Sequence, residues 1–128
     1  MRYKNILQVM GMANNRRLEE TFNEGWLKIL TQTTKRNELG KKIGVEDTEI
    51  TSLKFRNLSM RDSDITAMDA MGSKLTKKVK TPFHPIAKKF NKDQYFIVID
   101  SMRYNVIYAD YDNFYIYFYL ESVGEYGY

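Results

Sequence analysis

The chain has 128 residues, 43% of them hydrophobic and 28% charged, with 20 Lys and Arg against 16 Asp and Glu. That balance suits one soluble domain, excludes disorder over most of the length, and leaves a formal net charge of only +4. Cysteine is absent, which excludes disulfide frameworks, thiolate zinc sites and cysteine nucleophiles.

Met1 to Gly25 reads as a helical or partly ordered arm, with Asn14 placed to cap a short helix through Phe22. From Trp26 the period changes to two, Leu27 and Ile29 opposing Trp26, Lys28 and Leu30, so a strand begins there. Asn37-Glu38-Leu39-Gly40 supplies turn chemistry. Lys41 to Val45 and Glu49 to Ser59 follow as two further strands, Leu53 and Phe55 sharing one face and Lys54 and Arg56 the other. Arg61 to Gly72 breaks this pattern: Ile65, Met68 and Met71 recur at helical spacing behind a cap at Ser59 or Asp62, and Gly72 ends the helix. Lys74 to Thr81 alternates Leu75 and Val79 against lysines, and Pro82-Phe83-His84-Pro85 stops it.

The last third predicts a meander of three antiparallel strands: Gln94 to Asp100, Tyr104 to Ala109 and Phe114 to Glu121. In the third, Phe114, Ile116, Phe118 and Leu120 form the core face, with Tyr115, Tyr117, Tyr119 and Glu121 opposite. The expected fold is therefore mainly β: a small antiparallel β-barrel or sandwich of about six strands, spanning 26–128, with one short connector helix.

Charge is segregated along the chain. Ser73 to Lys92 holds seven lysines and no acid, whereas Tyr104 onward holds four acids and no base. The basic block is either a solvated loop or an electrostatic footprint for nucleic acid or an acidic neighbour. Catalytic signatures are missing. His84 is the sole histidine, sits between prolines, and has no Gly-x-Ser-x-Gly elbow to serve. The seven glycines form neither a dinucleotide nor a phosphate-loop fingerprint, and no carboxylate pair declares itself as acid and base, so the sequence argues against an enzyme and implies no cofactor or metal. The longest apolar-plus-tyrosine run, Phe114 to Leu120, is too short to span a membrane, and Met-Arg-Tyr-Lys-Asn opens no secretory signal, so a cytoplasmic-type protein is expected.

Ten of the aromatic residues fall in the last 25 positions. The Tyr115, Tyr117, Tyr119 ladder admits three uses: a sheet face partly covered within the monomer, a subunit interface, or a stacking platform for bases. Against the third stands the local charge, since this stretch carries acids and no Lys or Arg. Phe114 to Leu120 is β-prone, uncharged and free of proline, and such a strand needs its edge or second face covered.

The order of features resembles the head–tail joining, or head-closure, family of tailed bacteriophages over roughly Trp26 to Gly124. The resemblance rests on the β-rich opening Trp-Leu-Lys-Ile-Leu-Thr-Gln-Thr-Thr-Lys, the turn Asn37-Glu38-Leu39-Gly40, and a strand ending at Arg56-Asn57-Leu58-Ser59. It continues in the polar connector Arg61 to Gly72 and the finish Tyr-Phe-Ile-Val-Ile-Asp, Arg103-Tyr104-Asn105-Val106, Tyr117-Phe118-Tyr119-Leu120-Glu121 and Gly124. The arm before Trp26 is longer than that family's usual lead-in.

The family implies a small β-barrel that assembles as a homo-oligomeric ring in the virion neck, between the portal or its adaptor and the tail, retaining packaged DNA. By position, the connector facing the channel would be about Met60 to Lys80, which makes Arg61, Asp62, Asp64, Asp69, Lys74, Lys77 and Lys78 candidate closure residues. Tyr115, Tyr117, Tyr119 and Glu121, with Lys88 and Lys89 from the basic block, are candidates for complementary subunit faces. Two alternatives stay open: a tail-terminator-like ring protein and a single-strand nucleic-acid-binding barrel.

Overall fold

In the first half of the first strand alternate residues disappear into the interior: Leu27 and Ile29 are fully buried in β1 (Trp26–Arg36), whereas its residues from Gln32 onward are exposed. The structure is a computed structural model and describes residues 21–126. The helix expected behind Asn14 lies outside those residues except at its end, where Thr21 and Phe22 are not helical. Asn37 closes the first turn, its side-chain carbonyl accepting from the Leu39 and Lys41 N–H groups while Gly40 takes φ +80°.

The next strand, β2 (Lys42–Lys54), is continuous and antiparallel to β1. The two separate strands expected between Lys41 and Ser59 are thus corrected to one long strand followed, after Phe55, by the two-residue β3 (Arg56–Asn57). The irregularity sits instead in bulges: pairing with β1 shifts between Ile29 and Leu30 and again between Lys35 and Arg36.

Helix α1 (Asp62–Ala70) begins one residue after Arg61, and neither Ser59 nor Asp62 caps it. Asp64 in its first turn reaches back to accept the Arg61 N–H at 3.0 Å, which satisfies a donor at the helix start. Gly72, at φ +81°, follows its end. Met68 is buried and Met71 is exposed, so the two share no packed face.

After β4 (Lys77–Pro82), the Pro-rich stretch does more than interrupt: Pro85–Lys89 is a 3-10 helix whose cap is His84, Nδ1 accepting from the Ile86 N–H at 3.0 Å. Then come β5 (Tyr95–Ile99), β6 (Met102–Tyr111) and β7 (Tyr115–Glu125), the predicted meander with longer second and third strands. Phe114 departs from its expected core position and is 64% exposed. Asp112 accepts both the Phe114 and Tyr115 N–H groups, so Phe114 belongs to the turn and the strand starts one residue later.

The seven strands form one antiparallel sheet in the order β2-β1-β5-β6-β7-β4-β3. The expected closed barrel of about six strands is therefore corrected to an open seven-stranded sheet. Chain continuity supplies the reason. The two edge strands β2 and β3 are successive pieces of one segment divided at Phe55, so the chain itself turns the sheet's first edge toward its last. Backbone bonds pin this corner: the Phe55 N–H donates to Gly25 O, and the Glu24 N–H donates to Phe55 O.

Inside the curl lie Leu27, Ile29, Phe55, Val79, Ile97, Val106, Ile116, Phe118 and Leu120, with Ile86 of the 3-10 helix among them. Two smaller clusters sit outside it, Leu30 with Phe96 and Val98, and Met68 with Leu75 and Ile107. Strand β5 is thus buried on both faces, which explains its unbroken apolar sequence. Leu75 joins the outer cluster rather than the face of Val79.

Candidate interaction surface

Strand β4 is where the two predicted residue sets meet. Its lysines alternate with the buried Val79 and Thr81, so Lys78 and Lys80 stand on the outside of the curl. β4 pairs with β7 so that Lys78 lies opposite Tyr119, Lys80 opposite Tyr117 and Pro82 opposite Tyr115. Each tyrosine of the ladder consequently has a cation over its ring. Lys80 Nζ lies 4.0 Å from the Tyr115 centroid and 5.8 Å from that of Tyr117, and Lys78 Nζ lies 5.1 Å from that of Tyr119. The expectation that the ladder has no bases among its rings is corrected: they come from a neighbouring strand, not from β7 itself. On the ladder's other side β6 places Tyr108 opposite Tyr119, rings 5.6 Å apart, and Asp110 opposite Tyr117.

Both ends of the ladder are partly roofed. Tyr119 packs against the Met68, Leu75 and Ile107 cluster, and Phe22 lies 6.0 Å from the Tyr115 ring. Helix α1 is tied down by a bond from Lys78 Nζ to the Asp64 carboxylate at 3.0 Å, both side chains largely buried. The Arg61 N–H and the Lys78 ammonium together hold the Asp64 carboxyl below its ordinary pKa. Asp112 is held low as well, by the N–H groups of Phe114 and Tyr115 and then by the Tyr117 hydroxyl at 3.4 Å. Tyr104 is pushed up, by burial first and by the Asp100 carboxylate second.

The remaining candidates divide. Asp62 and Asp69 are exposed along α1, and Arg61 precedes it. Lys74 is exposed beside a groove that Ile65, Asp69 and the half-buried Glu121 also line. Lys77 turns away from the ladder, its ammonium 5.7 Å from the Phe55 ring. Lys88 and Lys89 sit on the 3-10 helix, Lys88 over Phe83 at 6.0 Å, and among the described residues they make no ion pair with the acidic end. The surface that does assemble is Lys78 and Lys80 with Tyr115, Tyr117 and Tyr119. Sequence reasoning missed Tyr108 and Arg56, which pairing brings beside it, Arg56 lying opposite Lys80. The Lys54-Phe55-Arg56 alternation was the one signal for Arg56, since it already set that side chain opposite the core.

No protein-family model matches the chain, and no curated protein matches it. Among the described residues no helix is long and apolar enough to cross a membrane.

Proposed function

We propose that this protein is a structural component of a tailed-phage neck, assembling as a ring that closes the DNA-filled head and joins it to the tail. The neck assignment draws on the order of features that resembles the head–tail joining family. The assembling part draws on one structural observation. β2 is an edge strand of 13 residues, and Ile43, Val45 and Ile50 on it are exposed. An edge of that length and composition invites pairing with another chain, and a ring provides one.

In this reading the connector between β3 and β4, with α1 and its exposed Asp62 and Asp69, is the segment nearest the channel. Exposed carboxylates there keep packaged DNA from adhering, while Asp64 is committed to Lys78 and serves to hold the helix in place. The outer part of the lysine-and-tyrosine surface, Lys80 with Tyr115 and Tyr117, is a docking face for a neighbouring protein, where rigid amphipathic rings with a fixed cation give area at small entropic cost.

Immobilised protein offered the phage's portal–adaptor complex and its tail tube protein separately tests the assignment. Capture of the portal–adaptor complex is expected. Capture of the tube protein alone would replace it with the tail-terminator reading. Lys80, set against the Tyr115 and Tyr117 rings, also favours a second reading, a single-strand-binding sheet; oligonucleotide affinity falling steeply with salt would support it instead.

A further inference from the structure

We propose that the tip of the β1–β2 hairpin of one copy inserts into a groove at the hairpin base of the next copy, and that this contact propagates the ring. The inference rests on the assembling reading above and names the surface that does it.

The hairpin outruns the sheet. β5 pairs with β1 only from Lys28 to Thr31, so beyond Thr31 the two strands pair only with each other. Every residue from Gln32 to Ile43 is exposed. An isolated two-stranded ribbon is marginally stable in water, so this one calls for a partner. Its tip carries Lys35, Arg36, Lys41 and Lys42 around a single acid, Glu38, and holds up Leu39 at 93% exposure. Arg36 Nη1 closes the turn on Gly40 O at 2.9 Å, and among the described residues Lys35, Lys41 and Lys42 enter no salt bridge.

The groove has the opposite character. About 640 Å³ in volume, it has Trp26, Leu30 and Val98 as apolar lining and the carboxylates of Asp47, Glu49 and Asp100 beside them. Among the described residues Lys28 is the one cation on its wall, and it lies 4.0 Å from Glu49. Tyr126 fixes the wall on one side, its hydroxyl donating to Asp47 at 2.7 Å.

An apolar knob ringed by cations therefore matches an apolar groove ringed by acids. The occupant cannot be the same molecule's tip. β1 leads away from its own groove, and the five residues after Thr31 span about 16 Å at strand rise. Tip and groove are different surfaces, so the contact is heterologous, the kind that generates a ring or a filament.

The absence of cysteine makes a direct test available. A variant carrying Leu39→Cys and Lys28→Cys is oxidised at high concentration and run on a denaturing gel. A ladder of disulfide-linked multimers is expected, whereas either single variant stops at a dimer. Adding Lys41→Glu and Lys42→Glu reduces the ladder about tenfold or more, as like charges meet in the groove, and Glu49→Lys with Asp100→Lys then restores it. A missing ladder, or one indifferent to charge reversal, overturns the proposal. So does capture of a labelled oligonucleotide by the same lysines without a ladder. The two readings fail separately: a ladder with no effect on virion joining removes the neck and keeps the contact, and impaired joining without a ladder does the reverse.

Discussion

The ammonium of Lys80 in β4 stands 4.0 Å from the centre of the Tyr115 ring in β7, one diagonal step along the ladder from its direct partner Tyr117. The 3-10 helix, β5 and β6 separate the two residues in the chain, yet their strands are neighbours in the sheet. The pairing turns a tyrosine stripe in an acidic segment into a surface with its own cations, worth about 0.5–1 kcal/mol for an exposed pair.

The ladder divides into a packing half and a docking half. Tyr119 lies on the Met68, Leu75 and Ile107 cluster, so Tyr119→Ser lowers stability by about 1–3 kcal/mol, less than a full core truncation. Tyr117→Ser costs about 1 kcal/mol or less and instead weakens capture of the neighbouring neck protein, as truncated interface aromatics do. Urea denaturation and pull-down of the two variants separate the effects. Equal stability losses with normal capture would make both tyrosines internal packing.

The Asp64 carboxylate gives α1 an acid-sensitive anchor. Its folded pKa lies below its unfolded value of about 3.9, so the unfolded chain binds the proton more readily. The stabilisation is therefore fully present above the unfolded pKa and is lost as pH falls through the folded one. Asp64→Asn removes that part of the acid dependence and costs about 1–3 kcal/mol at neutral pH, a charged hydrogen bond having gone. Denaturation midpoints between pH 2 and 6 check this; a variant that keeps the wild-type pH slope contradicts it.

The register of β7 is testable with two truncations. Phe118 is 1% exposed and its ring lies 5.5 Å from that of Phe90, so Phe118→Ala costs about 3–5 kcal/mol. Phe114→Ala, in the turn, costs about 0.5 kcal/mol or less. Similar losses at both positions in thermal denaturation would mean that Phe114 shares the core face.

Gly25 is confined on two counts. It holds φ +127°, and a Cβ there would lie 3.3 Å from Phe55 Cε1, at the corner where the sheet turns back on itself. Gly25→Ala destabilises by about 1–3 kcal/mol through backbone strain, measurable as a lowered denaturation midpoint. A neutral substitution would show that this corner is loose.

What the sequence discloses and what it withholds follow from how local each feature is. The alternation in β7 and β1 is readable because side chains on a strand repeat every two residues and the buried set is apolar. Helix α1 is found where the spacing and Gly72 place it, although Ile65 and Met71 are exposed and the spacing marks no packed face. Phe114 is misassigned because Asp112 delays the strand by one residue through hydrogen bonds that alternation does not register. The 3-10 helix at Pro85 carried a signal, proline at its first position, hidden behind the reading of a Pro-rich stretch as a breaker. The lysines over the tyrosines were beyond local reasoning, because only the β4–β7 pairing brings them together. The open ladder was equally hidden, since it depends on β2 passing into β3 at Phe55.

The most direct test of the neck assignment is to silence the gene in its parent phage and examine the lysate by electron microscopy. Tail-less heads accumulating beside free, finished tails are the predicted result, with heads empty of DNA marking loss of closure. Joined, normal virions would contradict it.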